Sequence, residues 1–172
     1  GRARALGDRD AMPCEVVACL VERGSKPLGS SAAMQRARET SPLYEAWLDR
    51  GRRDMDEALE AFARGDYEGL FACCEGNTAA MHELLRRCPQ PVDYGTQRSR
   101  AALAVLEDAR RPLGAPMALT RDAGPNPFVF VPAGSAARLV SLVGDALGHL
   151  GVEVLVLQGG AAPEARRLEE RL

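Results

Sequence analysis

The segment from Tyr67 to Leu85 carries the strongest structural pattern in the sequence. Its apolar and small side chains recur at spacings of one, three and four residues, at Tyr67, Leu70, Phe71, Cys74, Thr78, Met81 and Leu85. This spacing predicts one helix of about 20 residues with a face that must be buried against another part of the chain. Gly65 can end a preceding helix in the left-handed conformation, and Asp66 can cap the new helix.

The size and composition of the chain fit one globular domain. It has 172 residues, of which 46% are hydrophobic and 27% are charged. These values indicate neither a disordered chain nor a membrane protein. The net charge of -2 removes the general electrostatic argument for binding nucleic acid or an acidic bilayer, so no nucleic-acid or membrane partner is predicted.

The cysteines and histidines do not have the spacing of a metal site. There are five cysteines, an odd number, with no CxxC pair, so we expect buried reduced thiols rather than disulfides or ligands. His82 and His149 have no Cys, His or carboxylate at ligand spacing, and we expect them to be surface or satisfied core groups. No metal site is predicted. The chain has no signal peptide and no run of 18 apolar residues, so a reducing cytoplasm is the expected compartment.

The order of predicted elements gives the fold class. Residues 1–12 read as a lead-in segment, and the domain proper covers 13–172. A helical region extends from Ala32 to Arg87, with a helix start at Ser41-Pro42, and another helix covers Gln97 to Arg110. A further helix opens at Ser135, with a face of Leu139, Leu142, Val143, Ala146 and Leu150. The predicted strands are Cys14–Val21, Ala115–Thr120, Phe128–Val131 and Val152–Leu157. We therefore expect an α+β fold with helices on one side of a mixed or antiparallel sheet.

The first segment that could carry chemistry is Lys26-Pro-Leu-Gly-Ser30-Ser31, which leads into a helix. The N-terminus of a helix presents unpaired N–H groups and the positive end of the dipole. A lysine and two hydroxyls at that point could form a phosphate cradle. Gly/Ser loops before helices are more often simple caps, and the pattern leaves both interpretations open.

The second segment is the stiff turn from Thr120 to Pro127, which contains Asp122, Gly124 and Asn126. Glycine and two prolines restrict its backbone, so it can hold a side chain in a fixed position. A purely structural interpretation is that the Asp and Asn side chains stabilise the turn. A single carboxylate could equally be a base, a metal ligand or the partner of an arginine, and the pattern does not choose.

Five blocks of the sequence, read together, form a specific pattern. They are Lys26-x-x-x-Ser30-Ser31-x-x-Met34, Thr40-Ser41-x-x-Tyr44-x-x-Trp47, Asn77-x-x-x-Met81-His82, Tyr94, and Asp122-Ala-Gly-Pro-Asn126. In order and approximate spacing they resemble the C-terminal lobe of the diphosphomevalonate decarboxylases, in the GHMP kinase superfamily. The match covers about Pro13 to Val131, and the last block is the most specific. The resemblance implies a ferredoxin-like α+β domain with helices packed on a mostly antiparallel four-stranded sheet.

The resemblance also implies an activity, the ATP-dependent decarboxylation of mevalonate 5-diphosphate to isopentenyl diphosphate. Asp122 would inherit the role of catalytic base or orienting carboxylate at the 3-hydroxyl. Ser30, with Ser31 and Lys26, would contact the substrate phosphates, and Gly124 and Asn126 would support the loop of Asp122. Two residues depart from the family pattern, Ala33 in place of glycine and Pro127 in place of a small residue.

The family binds ATP and Mg2+ mainly through an N-terminal lobe, and no glycine-rich nucleotide loop occurs in this sequence. We therefore expect that lobe on the same or another chain, with Gly1 close to the junction and the 172-residue chain inactive alone. The resemblance also implies a homodimer. Three alternatives stay open: a decarboxylase of phosphomevalonate, a GHMP small-molecule kinase, and a stand-alone domain without catalysis.

Overall fold

The computed structural model of the chain describes residues 6–7, 10–24 and 28–157, and these form an α+β domain. Within them the chain runs through β1 (Cys14–Leu20), α1 (Ser30–Thr40), α2 (Tyr44–Arg64), α3 (Tyr67–Arg86), α4 (Gln97–Leu113), β2 (Ala118–Arg121), β3 (Pro127–Pro132), α5 (Ala136–His149) and β4 (Glu153–Leu157). The predicted fold class is confirmed, and each predicted strand is present within a few residues of its expected bounds.

The four strands form one sheet in the order β2-β3-β1-β4, and each neighbouring pair is antiparallel. Val17 of β1 lies opposite Val129 of β3 and Val156 of β4, and Leu119 of β2 also lies opposite Val129. Because side chains alternate between faces, these four residues point to the same side of the sheet. The register therefore assigns Phe128 and Phe130 to the other side.

The larger core lies between the Val17 side of the sheet and helices α4 and α5. Its fully buried side chains come from both layers and include Val17, Cys19, Val129, Val131, Leu106, Leu139, Val143 and Leu147. Helices α4 and α5 cover one face of the sheet, as predicted, whereas α3 lies along the outer edge of β2 and faces Phe128 and Phe130 across a groove. The expected α5 face is also shifted: Leu142 and Ala146 are exposed, and Leu147 is buried instead.

Helices α2 and α3 form an antiparallel hairpin whose corner follows the sequence signals. Gly65 ends α2 with a left-handed φ of 66°, and the Asp66 carboxylate accepts the Gly69 N–H at 2.9 Å. The helix start predicted at Ser41-Pro42 is displaced by a few residues. The Ser41 hydroxyl accepts the Leu43 N–H at 3.3 Å, as expected, but the Ser41 N–H donates to the Ala37 carbonyl at the end of α1, and α2 begins at Tyr44.

The α3 stripe is less buried than its pattern predicts. Phe71 and Leu85 are buried, but the five other stripe residues, Tyr67, Leu70, Cys74, Thr78 and Met81, are only half-buried. Leu85 belongs to a second core cluster that joins α1, the end of α3 and Ala123. The middle of the stripe therefore lines an opening in the molecule rather than a closed core.

All five cysteines are free thiols. The buried environment that we expected is present at Cys19 and Cys88, and burial raises the pKa of Cys19 to about 11. Cys14, Cys73 and Cys74 are half-buried instead. None of the helices in the described ranges is both long and apolar enough to cross a membrane.

Candidate functional site

Asp122 lies in the turn between β2 and β3. The turn is tight, because the Gly124 N–H donates to the Asp122 carbonyl at 2.7 Å. The Asp122 side chain is exposed, and its carboxylate makes no hydrogen bond or ion pair with the other residues that the structure describes. This carboxylate is therefore available to a ligand, which disfavours the interpretation that it merely stabilises the turn.

Asp122 stands at a groove of about 570 Å³ between the α2–α3 hairpin and the open side of the sheet. The groove is lined mainly by apolar and uncharged polar side chains, among them Met55, Asn77, Thr78, Met81, Phe128 and Phe130. Its other charged lining residues are Arg121 and Asp54, and Asp54 is paired with Arg50. Thr78 and Met81 belong to the α3 stripe, so the groove explains why that stripe is half-buried. An apolar groove with one free carboxylate can hold a small organic substrate beside a proton acceptor.

Asn126 fastens the other end of the turn to the segment that follows β1. Its Oδ1 accepts the N–H groups of Val21 at 2.8 Å and Glu22 at 3.0 Å, and its Nδ2 donates to the Glu22 carbonyl at 3.0 Å. Both ends of the side-chain amide are used. Ala123 adds an apolar anchor, because it is buried in the second core cluster with Ala33 and Ala37 of α1. The turn is thus held by polar and apolar contacts on neighbouring residues.

Arg121, which precedes Asp122, is buried, and no sequence pattern predicted its burial. Its Nη2 lies 3.8 Å from the Asp93 carboxylate, which also accepts from the Gly95 N–H at 2.7 Å and from Arg100 at 2.8 Å. Burial lowers the pKa of Arg121, and Asp93 opposes that change. Burial raises the pKa of Asp93, but the bonds from Gly95 and Arg100 outweigh it and hold that pKa below its usual value.

Gly95 is required by the close approach of Arg121. A Cβ at this position would lie 2.7 Å from Nη1 of Arg121 and 3.0 Å from Oδ1 of Asp93. Such a contact is closer than packed atoms tolerate, so a side chain here would displace the buried guanidinium. No local pattern around Gly95 pointed to this role.

His82 contacts the same strand from α3. Its Nε2 lies 2.8 Å from the Arg121 carbonyl, and the residue is buried. Burial lowers the pKa of His82, with further lowering by Arg121 and Arg86, so the ring is neutral at pH 7 and donates through Nε2–H. The expectation of a satisfied core group is confirmed for His82.

Ser30 and Ser31 are the first two residues of α1, rather than residues that precede it. Gly29 occupies the capping position, and no side chain caps the helix. Both serines are exposed, and neither lines the groove of Asp122. Their hydroxyls are therefore not used as caps. Lys26 lies outside the described residues.

The turn separates the Asp122 groove from a second depression. This depression has a volume of about 470 Å³, and its lining includes Pro125, Gly24 and Leu28. Tyr94 closes one side and donates its hydroxyl to the Leu28 carbonyl at 3.1 Å. Gly24 and Leu28 thus lie on the Pro125 side of the turn, while Asp122 faces the groove.

The described residues do not offer a metal site. No group of three or more His, Cys, Asp or Glu side chains comes together in this part of the chain.

Comparison with known proteins gives one consistent family. The family described as mevalonate 5-diphosphate decarboxylase C-terminal domain matches residues 16–160. A diphosphomevalonate decarboxylase of Ganoderma lucidum is 27% identical over 131 residues, which cover 73% of this chain and 33% of that protein.

Solved structures have the same fold. The mevalonate pyrophosphate decarboxylase of Streptococcus pyogenes superposes with a TM-score of 0.78 at 23% identity, over 90% of this chain and 47% of that one. A protein called MDDEF, solved in complex with MVAPP, AMPPCP and magnesium, gives a TM-score of 0.75 at 26% identity, over 87% and 47%.

The chain spans a third of the length of the curated relative and about half of these two solved chains. The family match covers most of its 172 residues. The chain belongs to the family of mevalonate 5-diphosphate decarboxylase C-terminal domains.

Proposed function

We propose that this chain forms the substrate-side lobe of an ATP-dependent diphosphomevalonate decarboxylase. One observation carries the proposal: a carboxylate without a partner, Asp122, stands at a groove of substrate size on a turn fixed from several sides. A fixed carboxylate can orient a hydroxyl and accept its proton without a search over conformations. Residues 13–172 would form this lobe, and residues 1–12 would lead into it.

The proposed reaction uses Asp122 at the 3-hydroxyl of mevalonate 5-diphosphate. Asp122 orients the hydroxyl and accepts its proton as the oxygen forms a bond to phosphorus. ATP, when bound, supplies the transferred phosphoryl group and becomes ADP. The bond between C3 and the phosphate oxygen breaks, and its electron pair leaves with the phosphate. The bond between C2 and the carboxyl carbon then breaks, and its electron pair forms the new double bond between C2 and C3. The products are carbon dioxide, phosphate, ADP and isopentenyl diphosphate.

We place the phosphate contacts of the substrate at Ser30 and Ser31, with Lys26 nearby in sequence. The support is that both serines are exposed at the N-terminus of α1, where backbone N–H groups and the helix dipole favour an anion. Gly124 and Asn126 hold the loop rather than the substrate. The free thiols support a reducing compartment, and we propose the cytoplasm.

An N-terminal lobe, in the same or another chain, would bind ATP and Mg2+. Support comes from MDDEF, which was solved with AMPPCP and magnesium and of which this chain covers 47%. A partner also fits the open side of the sheet, where Leu155 and Leu157 are 38% and 47% exposed. We therefore expect the isolated chain to be inactive.

The test is Asp122→Asn in the complete two-lobe enzyme, with release of carbon dioxide and formation of ADP measured separately. The exchange is isosteric and exposed, so the free energy of unfolding should stay within about 0.5 kcal/mol. Turnover should fall at least about a hundredfold. Asp108→Asn, an exposed exchange on α4, is the matched control and should retain turnover. Near-normal turnover in Asp122→Asn would contradict the assignment.

Comparing mevalonate monophosphate and diphosphate as substrates separates the remaining alternatives. ADP formation without carbon dioxide release would indicate a kinase. Preference for the monophosphate would indicate a phosphomevalonate decarboxylase. Neither product from the complete protein would favour a domain without catalysis.

A further inference from the structure

Helix α3 covers the free edge of β2 with two side chains. Among the described strands β2 is at the edge of the sheet, so its outward backbone groups have no neighbouring strand. Glu75 accepts the Leu119 N–H at 2.6 Å, and His82 lies 2.8 Å from the Arg121 carbonyl. Helix α3 thus supplies an acceptor and a donor where a further strand would supply backbone groups.

The spacing of these contacts explains how a helix can do this. Glu75 and His82 are seven residues apart, about two helical turns, and therefore lie on the same face of α3. Leu119 and Arg121 are two residues apart on the strand, so their backbone groups point to the same edge. Both contacts run from one face of the helix to one edge of the strand, so the position of α3 along β2 is fixed at two points.

The His82 contact acts directly on the peptide that carries Asp122. The Arg121 carbonyl and the Asp122 N–H belong to one planar peptide group, so orienting the carbonyl also orients the bond to the Asp122 Cα. The opposite end of the turn is held by Asn126, four residues later. The two ends are therefore fixed independently, one from α3 and one from the segment after β1.

We propose that His82 is a positioning residue for Asp122: through the Arg121 carbonyl it sets the direction from which the carboxylate faces the groove. This inference rests on the proposed function, since it assigns His82 a role in the reaction of Asp122. His82 exerts this effect by donating a hydrogen bond to the Arg121 carbonyl. Loss of the donor would leave a buried carbonyl unpaired and let the peptide rotate.

The test uses His82→Leu and His82→Gln in the complete two-lobe enzyme. His82→Leu removes the donor, and we expect kcat to fall at least about tenfold while KM for the substrate stays within about threefold. His82→Gln keeps an amide donor at similar reach, and we expect kcat within about threefold of wild type. His82→Asn, one methylene shorter than Gln, should behave like His82→Leu, and it decides the question if His82→Leu does not fold.

A role in packing alone predicts a different result. Leu147→Ala, in the core where α5 packs against β1 and β4, is the matched control that lowers the melting temperature at a distance from β2 and its turn. A packing role for His82 would give the same behaviour, a lower melting temperature with unchanged kcat. Unchanged kcat in both His82→Leu and His82→Asn would overturn the proposal.

A double-mutant cycle tests whether His82 acts through Asp122. On the residual rate of Asp122→Asn, adding His82→Leu should have no further effect, because the group it positions is no longer a carboxylate. A full additional loss in that background would overturn the proposed route. If the wild-type complete enzyme releases no carbon dioxide, the proposed function fails. If it does and His82 has no influence, only this inference fails.

Discussion

The side-chain amide of Asn126 pairs with the backbone of Glu22 in both directions. Oδ1 accepts the Glu22 N–H at 3.0 Å, and Nδ2 donates to the Glu22 carbonyl at 3.0 Å. The same Oδ1 accepts the N–H of buried Val21 at 2.8 Å. An amide can make this pattern because it carries a donor and an acceptor side by side, whereas a carboxylate can only accept. The turn of Asp122 is therefore joined to the segment leading to Ser30.

We expect Asn126→Ala to lower the free energy of unfolding by about 1–3 kcal/mol, because the Val21 N–H loses its partner in a buried position. Asn126→Asp should also destabilise the protein, since it removes the donor and places a carboxylate oxygen against the Glu22 carbonyl. Urea denaturation of each variant and of the wild type measures both effects.

Asn77→Ala is the control for this prediction. Asn77 is exposed, and the structure gives its side chain one long bond, at 3.4 Å to Asp54. Its removal should change the free energy of unfolding by no more than about 0.5 kcal/mol. Equal losses in Asn126→Ala and Asn77→Ala would show that the Glu22 pairing is not what stabilises the turn.

The buried imidazole of His82 predicts how stability depends on pH. Burial lowers its folded-state pKa below the ordinary 6.5, and Arg121 and Arg86 lower it further against the opposing Arg121 carbonyl and Asp93. The unfolded chain then binds more protons, so stability is complete above about pH 6.5 and is lost as the pH falls below that value. The melting temperature of the wild type should therefore fall between pH 7 and pH 5.5.

His82→Gln isolates this contribution, because it keeps a donor that does not titrate. Its melting temperature should change less over the same interval. The acidic groups with lowered pKa values, Asp93, Glu83 and Glu107, titrate below their ordinary values of 3.8 to 4.5 and stay outside the interval. Identical pH profiles of the wild type and His82→Gln would contradict the prediction.

Sequence patterns predicted the features that depend on neighbouring residues. The α3 helix, its Asp66 cap and the left-handed Gly65 follow from periodicity and from the chemistry of single residues. The stiff turn with Asp122 was also visible, since glycine and proline mark turns wherever they cluster. Half-burial of the α3 stripe was not predictable, because periodicity shows which side is apolar but not whether a second layer closes over it.

Contacts between distant residues account for most of what the sequence did not predict at the site. His82 is 39 residues from its partner Arg121, and Asn126 is 104 residues from Glu22. Arginine is rarely buried, so nothing in the sequence separated Arg121 from its exposed counterparts. The family resemblance selected Asp122 and Asn126 but gave no support for Arg121, Asp93 or Gly95, whose roles arise only from packing.

Ser30 is exposed at the start of α1, and this exposure is the basis for assigning it to the substrate phosphates. In the complete enzyme Ser30→Ala should raise KM for the phosphorylated substrate at least about tenfold, because a hydrogen bond to a charged group contributes about 1.5–3 kcal/mol. Its melting temperature should not change, since the hydroxyl does not cap the helix.

Ser135→Ala is the matched control, a serine at the start of α5 that also makes no capping bond, and it should leave KM unchanged. Steady-state kinetics at several substrate concentrations measure both variants. A wild-type KM in Ser30→Ala would remove Ser30 from the phosphate site and leave Ser31 and Lys26 as the residues to test.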